Sequence, residues 1–107
     1  MKITYQVQID VQKEVEAEWL SWISEKHIPD VCDVAKVSDA LLIKYDDNSV
    51  EGHANYRIIY FFDTKEDLEA YSKSDMLRLR KDHEDKFGNH IAVVRRYGVL
   101  LKWYERT

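Results

Sequence analysis

Histidine is the side chain best suited to acid–base chemistry near neutral pH, and the sequence has four of them. His27 has the most informative position, because it continues a helical apolar stripe and comes two residues before Pro29, the single proline. A break at a proline can aim a side chain into a cleft. An imidazole there can act as a general base or donate a hydrogen bond to a ligand. We therefore predict that His27 is catalytic; the alternative is a core histidine bonded to a backbone carbonyl.

Aromatic and basic side chains fall on faces that would converge with His27 between helices and a sheet. His83 lies on a second helical stripe, four residues before Phe87, and Arg95 adds a cation. Such a set suits a pocket for a small anionic or carbonyl-bearing ligand, whereas the alternative is that the same rings fill the core. The predicted ligand-binding residues are Tyr5, Trp22, Tyr60, His83 and Arg95.

Metal and thiol chemistry are not predicted. If the two helices end at opposite edges of the sheet, His27 and His83 lie far apart, and only Asp30 is closely spaced with His27. Metal sites need three or four convergent ligands, so we predict no metal and no cofactor. Cys32 is the single cysteine and no oxyanion motif accompanies it, so we expect it to be buried and structural.

The first half of the chain predicts a strand, a helix and a second strand. Apolar and polar residues alternate over residues 3–11, as in a strand with one buried face. From Lys13 the apolar spacing becomes helical. Pro29 is expected to end or kink this helix near His27, with a turn at residues 30–35. Residues 37–45 then form the second strand.

The second half repeats this order after a turn. Turn-forming residues at 46–53 separate the second strand from a third at 55–62, which makes a hairpin. Asp63 or Thr64 is expected to cap a second helix, which is broken around residues 74–75.

The last segment completes the fold. Gly88 and Asn89 stop the second helix, and residues 90–103 form a final strand with Gly98 as a bulge or bend. Two right-handed βαβ units joined by a hairpin make a ferredoxin-like α+β domain, βαββαβ. We expect one such domain over residues 1–107, a four-stranded antiparallel sheet with two helices on one face.

Charge and composition exclude several classes of function. The formal net charge of −4 disfavours nucleic acid and anionic membranes. The basic residues Arg78, Arg80 and Lys81, with acids nearby in the sequence, and the pair Arg95 and Arg96 are expected to lie on solvated faces. The first strand lacks the aromatic motif of RNA-binding sheets. With one cysteine and no secretion or lipidation signal, we expect a cytoplasmic protein.

The strands carry more apolar surface than two helices can cover. On the third strand, Ile59 and Phe61 point away from the face that holds Tyr60, and on the last strand Ala92, Val94 and Leu100 oppose the other apolar residues. An exposed apolar sheet face normally marks an association surface. We therefore predict a homodimer that buries this face in both copies; the alternative is that the C-terminal strand folds back over its own sheet.

Four segments carry a resemblance to a known family: WLSW at residues 19–22, EKHIPDV at 25–31, LRLRKDHEDKFG at 77–88 and VVRR at 93–96. Together they resemble domain-of-unknown-function family 4286, an uncharacterised small bacterial family within the dimeric α+β barrel, ferredoxin-like group. The His-x-Pro segment is also similar to a group associated with ether degradation, over only a few residues. The resemblance implies a ferredoxin-like fold and a barrel-forming homodimer, and it implies no reaction.

Two hypotheses for function follow. The first is a dimeric domain that binds a small molecule, or transforms it without a cofactor, in a cleft between helix 1 and the sheet. The second is a non-catalytic structural or regulatory homodimer. A pocket of at least ~300 Å³ beside His27 favours the first hypothesis. A cleft filled by Trp22 and the tyrosines favours the second.

Overall fold

The computed structural model describes residues 1–46 and 50–106. Four strands form one sheet: β1 (Ile3–Gln12), β2 (Val37–Tyr45), β3 (His53–Phe62) and β4 (Ile91–Val99). The helices are α1 (Glu16–Trp22), α2 (Ile28–Val34), α3 (Lys65–Lys73) and α4 (Met76–Phe87). Short 3₁₀ turns at Lys13–Val15 and Gly88–His90 join helices to strands.

The sheet is antiparallel with the strand order β2-β3-β1-β4. Tyr5 of β1 lies opposite both Tyr60 of β3 and Tyr97 of β4. Alternate β1 residues from Tyr5 to Val11 are buried on the helix side, and their neighbours form the open face. The ferredoxin-like fold is therefore confirmed, with the predicted faces of the strands.

The predicted interruption near His27 is present, but the helix does not end there. A wider π-helical turn, Ile23–His27, carries α1 into α2, and the amide of Ile28 donates to the carbonyl of Ile23. Pro29 consequently lies in the first turn of α2, where a missing N–H is tolerated. The predicted turn at residues 30–35 is wrong, because the chain is helical as far as Val34.

The second helix follows the prediction closely. Thr64 caps α3 by accepting a hydrogen bond from the amide of Asp67 at 3.1 Å. The break near residues 74–75 is confirmed, because α3 ends at Lys73 and α4 begins at Met76. The helical stripe of α4 is buried, including His83.

The last strand is shorter than predicted. β4 ends at Val99, and residues 100–106 form a tail without strand structure, although the Leu100 amide still donates to the Lys2 carbonyl. Gly98 forms no bulge, because it lies opposite Thr4 in an unbroken register. A Cβ at this position would come within 2.8 Å of the Thr4 hydroxyl oxygen. Close approach of the two strands therefore explains this glycine.

Two further expectations concern the hairpin turn and the cysteine. Part of the predicted turn, residues 47–49, lies outside the described residues, while Gly52 has φ +75 and completes the turn into β3. The expectation that Cys32 is buried is wrong, since its side chain is exposed. Val31 is the buried residue of α2, and the adjacent Cys32 is turned outward.

Candidate functional site

A small inner cavity lies between the helices and the sheet, at the position where the sequence predicts a site. Its volume is about 20 Å³, which is room for about one water molecule. Five of the six predicted site residues border it: Tyr5, His27, Tyr60, His83 and Arg95. Val7, Val31, Ile58, Tyr71 and Arg80 complete the lining.

His27 and His83 are neighbours, contrary to the expectation that they lie far apart. Their ring centroids are 5.3 Å from each other. The expectation fails because the helix continues through Pro29, which places His27 near the middle of a helical segment rather than at its end. The segment runs beside α4, so the two imidazoles meet in the interior. Nevertheless, residues 1–46 and 50–106 contain no cluster of three or more metal-ligating side chains.

His83 is held in one neutral form by a buried hydrogen bond. The indole Nε1–H of Trp19 donates to Nε2 of His83 at 2.9 Å. Indole is only a donor, so Nε2 must accept and the proton of the neutral ring lies on Nδ1. Burial is the largest influence and lowers the pKa of His83 to about 3; His27 and Arg95 act in the same direction. His83 is therefore uncharged at neutral pH and retains one N–H donor.

His27 is also uncharged at neutral pH. Burial is the largest influence and lowers the pKa of His27 to about 4, although Asp30 and Asp82 act in the opposite direction. Trp22 stacks on both imidazoles, with centroid distances of 5.0 Å to His27 and 5.6 Å to His83. Trp22 does not border the inner cavity, so its place is against the histidine pair.

Tyr60 places an unpaired hydroxyl at the cavity. The residue is 2% exposed, and its hydroxyl oxygen makes no hydrogen bond within the described part of the chain. Burial raises the pKa of the Tyr60 hydroxyl well above its ordinary value, so the group remains protonated. Buried polar groups are almost always hydrogen-bonded. Tyr60 is therefore a donor that lacks an acceptor.

Arg80 belongs to this site, although the sequence interpretation placed it on a solvated face. Its Nη2 donates to the hydroxyls of Tyr97 at 3.0 Å and Tyr5 at 3.3 Å. Tyr5 stacks between Tyr60 and Tyr97, with centroid distances of 5.8 Å and 5.2 Å. A sequence signal existed, because Arg80 precedes His83 by three residues and so shares its helix face. The acidic residues near Arg80 in the sequence instead favour the prediction of a solvated face.

A second and more open cavity adjoins the first. This outer pocket has a volume of about 180 Å³ and lies between α4 and β4. Arg80, His83 and Arg95 border both cavities; Glu84, Gly88, Ile91 and Val93 complete the outer lining. β4 is an edge strand with no strand beyond it, which leaves this side of the domain less filled.

The site differs from the expected cleft between helix 1 and the sheet in size, because most of that space is filled. Trp19, Ile23 and Val31 are at most 1% exposed and fill that space. The inner cavity, at about 20 Å³, and the outer pocket, at about 180 Å³, are both smaller than the ~300 Å³ of a typical ligand pocket. Of these two cavities, the larger lies on the α4 and β4 side.

Comparison with known proteins identifies the family of this chain. The family model described as Domain of unknown function (DUF4286) matches residues 2–99. No curated protein is significantly similar to the chain. No helix among the described residues is long and apolar enough to cross a membrane.

Several solved structures share the fold. An ethyl tert-butyl ether d (EthD) family protein from Bacillus halodurans aligns with TM-score 0.67 and 14% identity, over 92% of this chain and 99% of that one. A dimeric ferredoxin-like protein from an uncultured marine organism aligns with TM-score 0.68 and 13% identity, over 99% and 93%. A putative antibiotic biosynthesis monooxygenase from Bacteroides thetaiotaomicron aligns with TM-score 0.66 and 12% identity, over 99% and 95%.

Proposed function

We propose that this chain, which belongs to the DUF4286 family, is a homodimeric small-molecule-binding domain whose ligand enters the outer pocket and reaches the inner cavity. The observation that carries the proposal is the buried, unpaired hydroxyl of Tyr60. Leaving such a group without a partner costs about 1–3 kcal/mol. A ligand atom that accepts a hydrogen bond from the Tyr60 hydroxyl would remove this cost. In the absence of ligand, a water molecule could take the same place until the ligand displaces it.

Binding is better supported than general-base catalysis. A base is most effective when its pKa is near the working pH, and the pKa of His27 is lowered to about 4 by burial. His27 is thus a weak base at neutral pH. Its neutral ring, stacked on Trp22, suits a wall of the binding site. The geometry therefore favours His27 as a binding residue over His27 as a catalytic base.

The structural relatives support small-molecule binding only through the fold. One neighbour is named as a putative antibiotic biosynthesis monooxygenase and another as an EthD family protein. The two names refer to small organic molecules, an antibiotic in the first and an ether in the second. The same fold also serves unrelated functions, so the argument for this chain depends on Tyr60 and the residues around it. The single cysteine suits a reducing compartment such as the cytoplasm.

The homodimer is proposed from the open face of the sheet. Leu41 is 46% exposed and Val94 is 50% exposed on this face, and Ile43, Ile59 and Phe61 are partly exposed beside Leu41. A groove of about 690 Å³ separates the face from the C-terminal tail, which borders it through Leu101 and Trp103. A two-fold pair would cover this apolar surface in both copies.

The second candidate function is a structural or regulatory homodimer without a ligand. The favouring observation is the near-complete filling of the inner cavity, which leaves only about 20 Å³. In that case the Tyr60 hydroxyl would bind a permanent water, and no ligand would accompany the purified protein.

Native mass spectrometry of freshly purified protein separates the two functions. We expect a dimer with an additional small mass that is lost on denaturation. Tyr60→Phe keeps the ring and removes the hydroxyl. It should reduce the fraction of the protein that carries the additional mass. Tyr56→Phe is a matched control, because the Tyr56 hydroxyl donates to Glu16 at 2.6 Å, outside the cavity. A dimer without added mass in every preparation would support the structural function.

A further inference from the structure

Two arginines face the proposed binding site without a carboxylate partner. Arg80 and Arg95 line both the inner cavity and the outer pocket. The ion pairs within residues 1–46 and 50–106 include neither of them. The Nε atom of each is buried and has no hydrogen-bond partner in the same part of the chain. Both guanidinium groups therefore have unused donors.

The surrounding groups do not balance this positive charge. His83 accepts a hydrogen bond from Trp19 at Nε2, which only the neutral ring can do. The tyrosines of the inner cavity contribute only dipoles, and no carboxylate is among its lining residues. Glu84 is the one acidic residue of the outer lining. A partly buried cation is costly unless it is paired, so the pocket favours an anion.

We infer that the ligand is a small organic carboxylate whose carboxyl group lies between Arg80 and Arg95. This inference rests on the proposed function. The planar guanidinium presents paired N–H donors that match the two oxygens of a carboxylate. Tyr60 and His83 border the same cavity and supply a hydroxyl and an N–H donor. A carboxylate would satisfy several of these donors at once.

The outer pocket limits the size and the polarity of the part of the ligand that extends beyond the carboxyl group. Its volume of about 180 Å³ corresponds to about six water molecules. Ile91 and Val93 form an aliphatic wall there. Such a wall suits a short hydrocarbon chain and offers nothing to a fully hydrated inorganic anion. The geometry therefore favours a short-chain carboxylate over inorganic phosphate.

Titration with three probes tests this inference: butanoate, its neutral isostere butanamide, and inorganic phosphate. Binding is followed by ¹H–¹⁵N NMR of the full-length protein. We expect butanoate to bind at least about tenfold more tightly than butanamide, because only butanoate pairs with the guanidinium groups. We also expect butanoate to bind more tightly than phosphate.

Variants identify the two arginines as the cause. Arg80→Gln and Arg95→Gln should each weaken butanoate binding about tenfold. Arg78→Gln is the matched control, because Arg78 lies on the same helix but pairs with Asp75 at 3.0 Å, and its binding should be unchanged. If circular dichroism shows that a Gln variant is unfolded, Arg80→Lys or Arg95→Lys keeps the charge, loses the paired donors and should still weaken binding.

The outcomes separate failure of this inference from failure of the proposed function. Equal binding of butanoate and butanamide, with both weakened by Tyr60→Phe, would overturn the carboxylate and leave the site in place. Tighter binding of phosphate than of butanoate would also overturn the carboxylate. If no probe binds and native mass spectrometry finds no retained ligand, both the site and the carboxylate are overturned.

Discussion

The indole Nε1–H of Trp19 donates a hydrogen bond to Nε2 of His83 across 2.9 Å inside the core. Trp19 is fully buried, and the bond joins α1 to α4. Because the indole can only donate, it selects the His83 tautomer that carries its proton on Nδ1. One hydrogen bond thereby decides which donor His83 can offer to the inner cavity.

Trp19→Phe should remove the hydrogen bond that selects the His83 tautomer. We expect the free energy of unfolding to fall by about 2–4 kcal/mol, because the smaller ring leaves a cavity and an unpaired imidazole nitrogen. Trp103→Phe, at an exposed position of the tail, should change the free energy of unfolding by less than about 0.5 kcal/mol. Chemical denaturation measures both. Long-range ¹H–¹⁵N NMR of wild-type His83 showing the proton on Nε2 would contradict the assigned tautomer.

Stability should fall as the pH is lowered from about 6.5 towards 4. Burial lowers the pKa of His27 to about 4 from an ordinary value of 6.5. Between these pH values His27 is protonated in the unfolded chain but not in the folded one. The free energy of unfolding therefore rises with pH across this window. The shift corresponds to about 3 kcal/mol for His27. His83 contributes to the pH dependence of stability in the same direction, because its pKa is also lowered, to about 3.

Denaturant unfolding at a series of pH values measures this effect. His27→Gln should reduce the slope of the free energy of unfolding between pH 6.5 and 4. His53→Gln is the control for loss of an imidazole outside the site, because the His53 ring contacts the Glu51 carbonyl next to the hairpin turn. A wild-type free energy of unfolding that is constant over this window would show that the histidines are not held neutral.

Tyr60→Phe should stabilise the protein without ligand. Removing a buried hydroxyl that has no partner should raise the free energy of unfolding by about 1 kcal/mol. Tyr56→Phe should have the opposite sign, because it removes the hydrogen bond to Glu16. Thermal and chemical denaturation of the ligand-free protein compare the two. A loss of stability in Tyr60→Phe would indicate that a bound water already satisfies the hydroxyl.

Val94→Glu should dissociate the proposed homodimer. Val94 is 50% exposed on the open face, and a charge there would have to be buried in both copies. Leu77→Glu is the matched control, since Leu77 is 72% exposed on α4, which lies on the helix side. Light scattering coupled to size-exclusion chromatography measures the mass. A monomeric wild-type protein at high concentration would contradict the dimer itself.

Local chemistry made several elements predictable from the sequence. The alternation over residues 3–11 identifies β1 because a strand places successive side chains on opposite faces. Thr64 is recognisable as a cap because Asp67 follows three residues later. These signals depend only on near neighbours along the chain. They held in the folded protein for that reason.

Other features were mispredicted because they depend on distant packing. The π-helical turn before Pro29 allows the helix to continue, and no local rule for proline specifies it. The acidic sequence neighbours of Arg80 predict a solvated position, yet the hydroxyls of Tyr5 and Tyr97 hold Arg80 at the site. Those partners come from two different strands.

The sequence by itself determined which face of each strand and helix is apolar, and hence the ferredoxin-like fold and most side chains of the candidate site. Only the tertiary structure decided that His27 meets His83, that Trp19 controls the His83 tautomer, and that the accessible pocket lies beside β4. The physical reason is that periodicity assigns a residue to a face. Distances between faces arise only when elements far apart in the chain pack together.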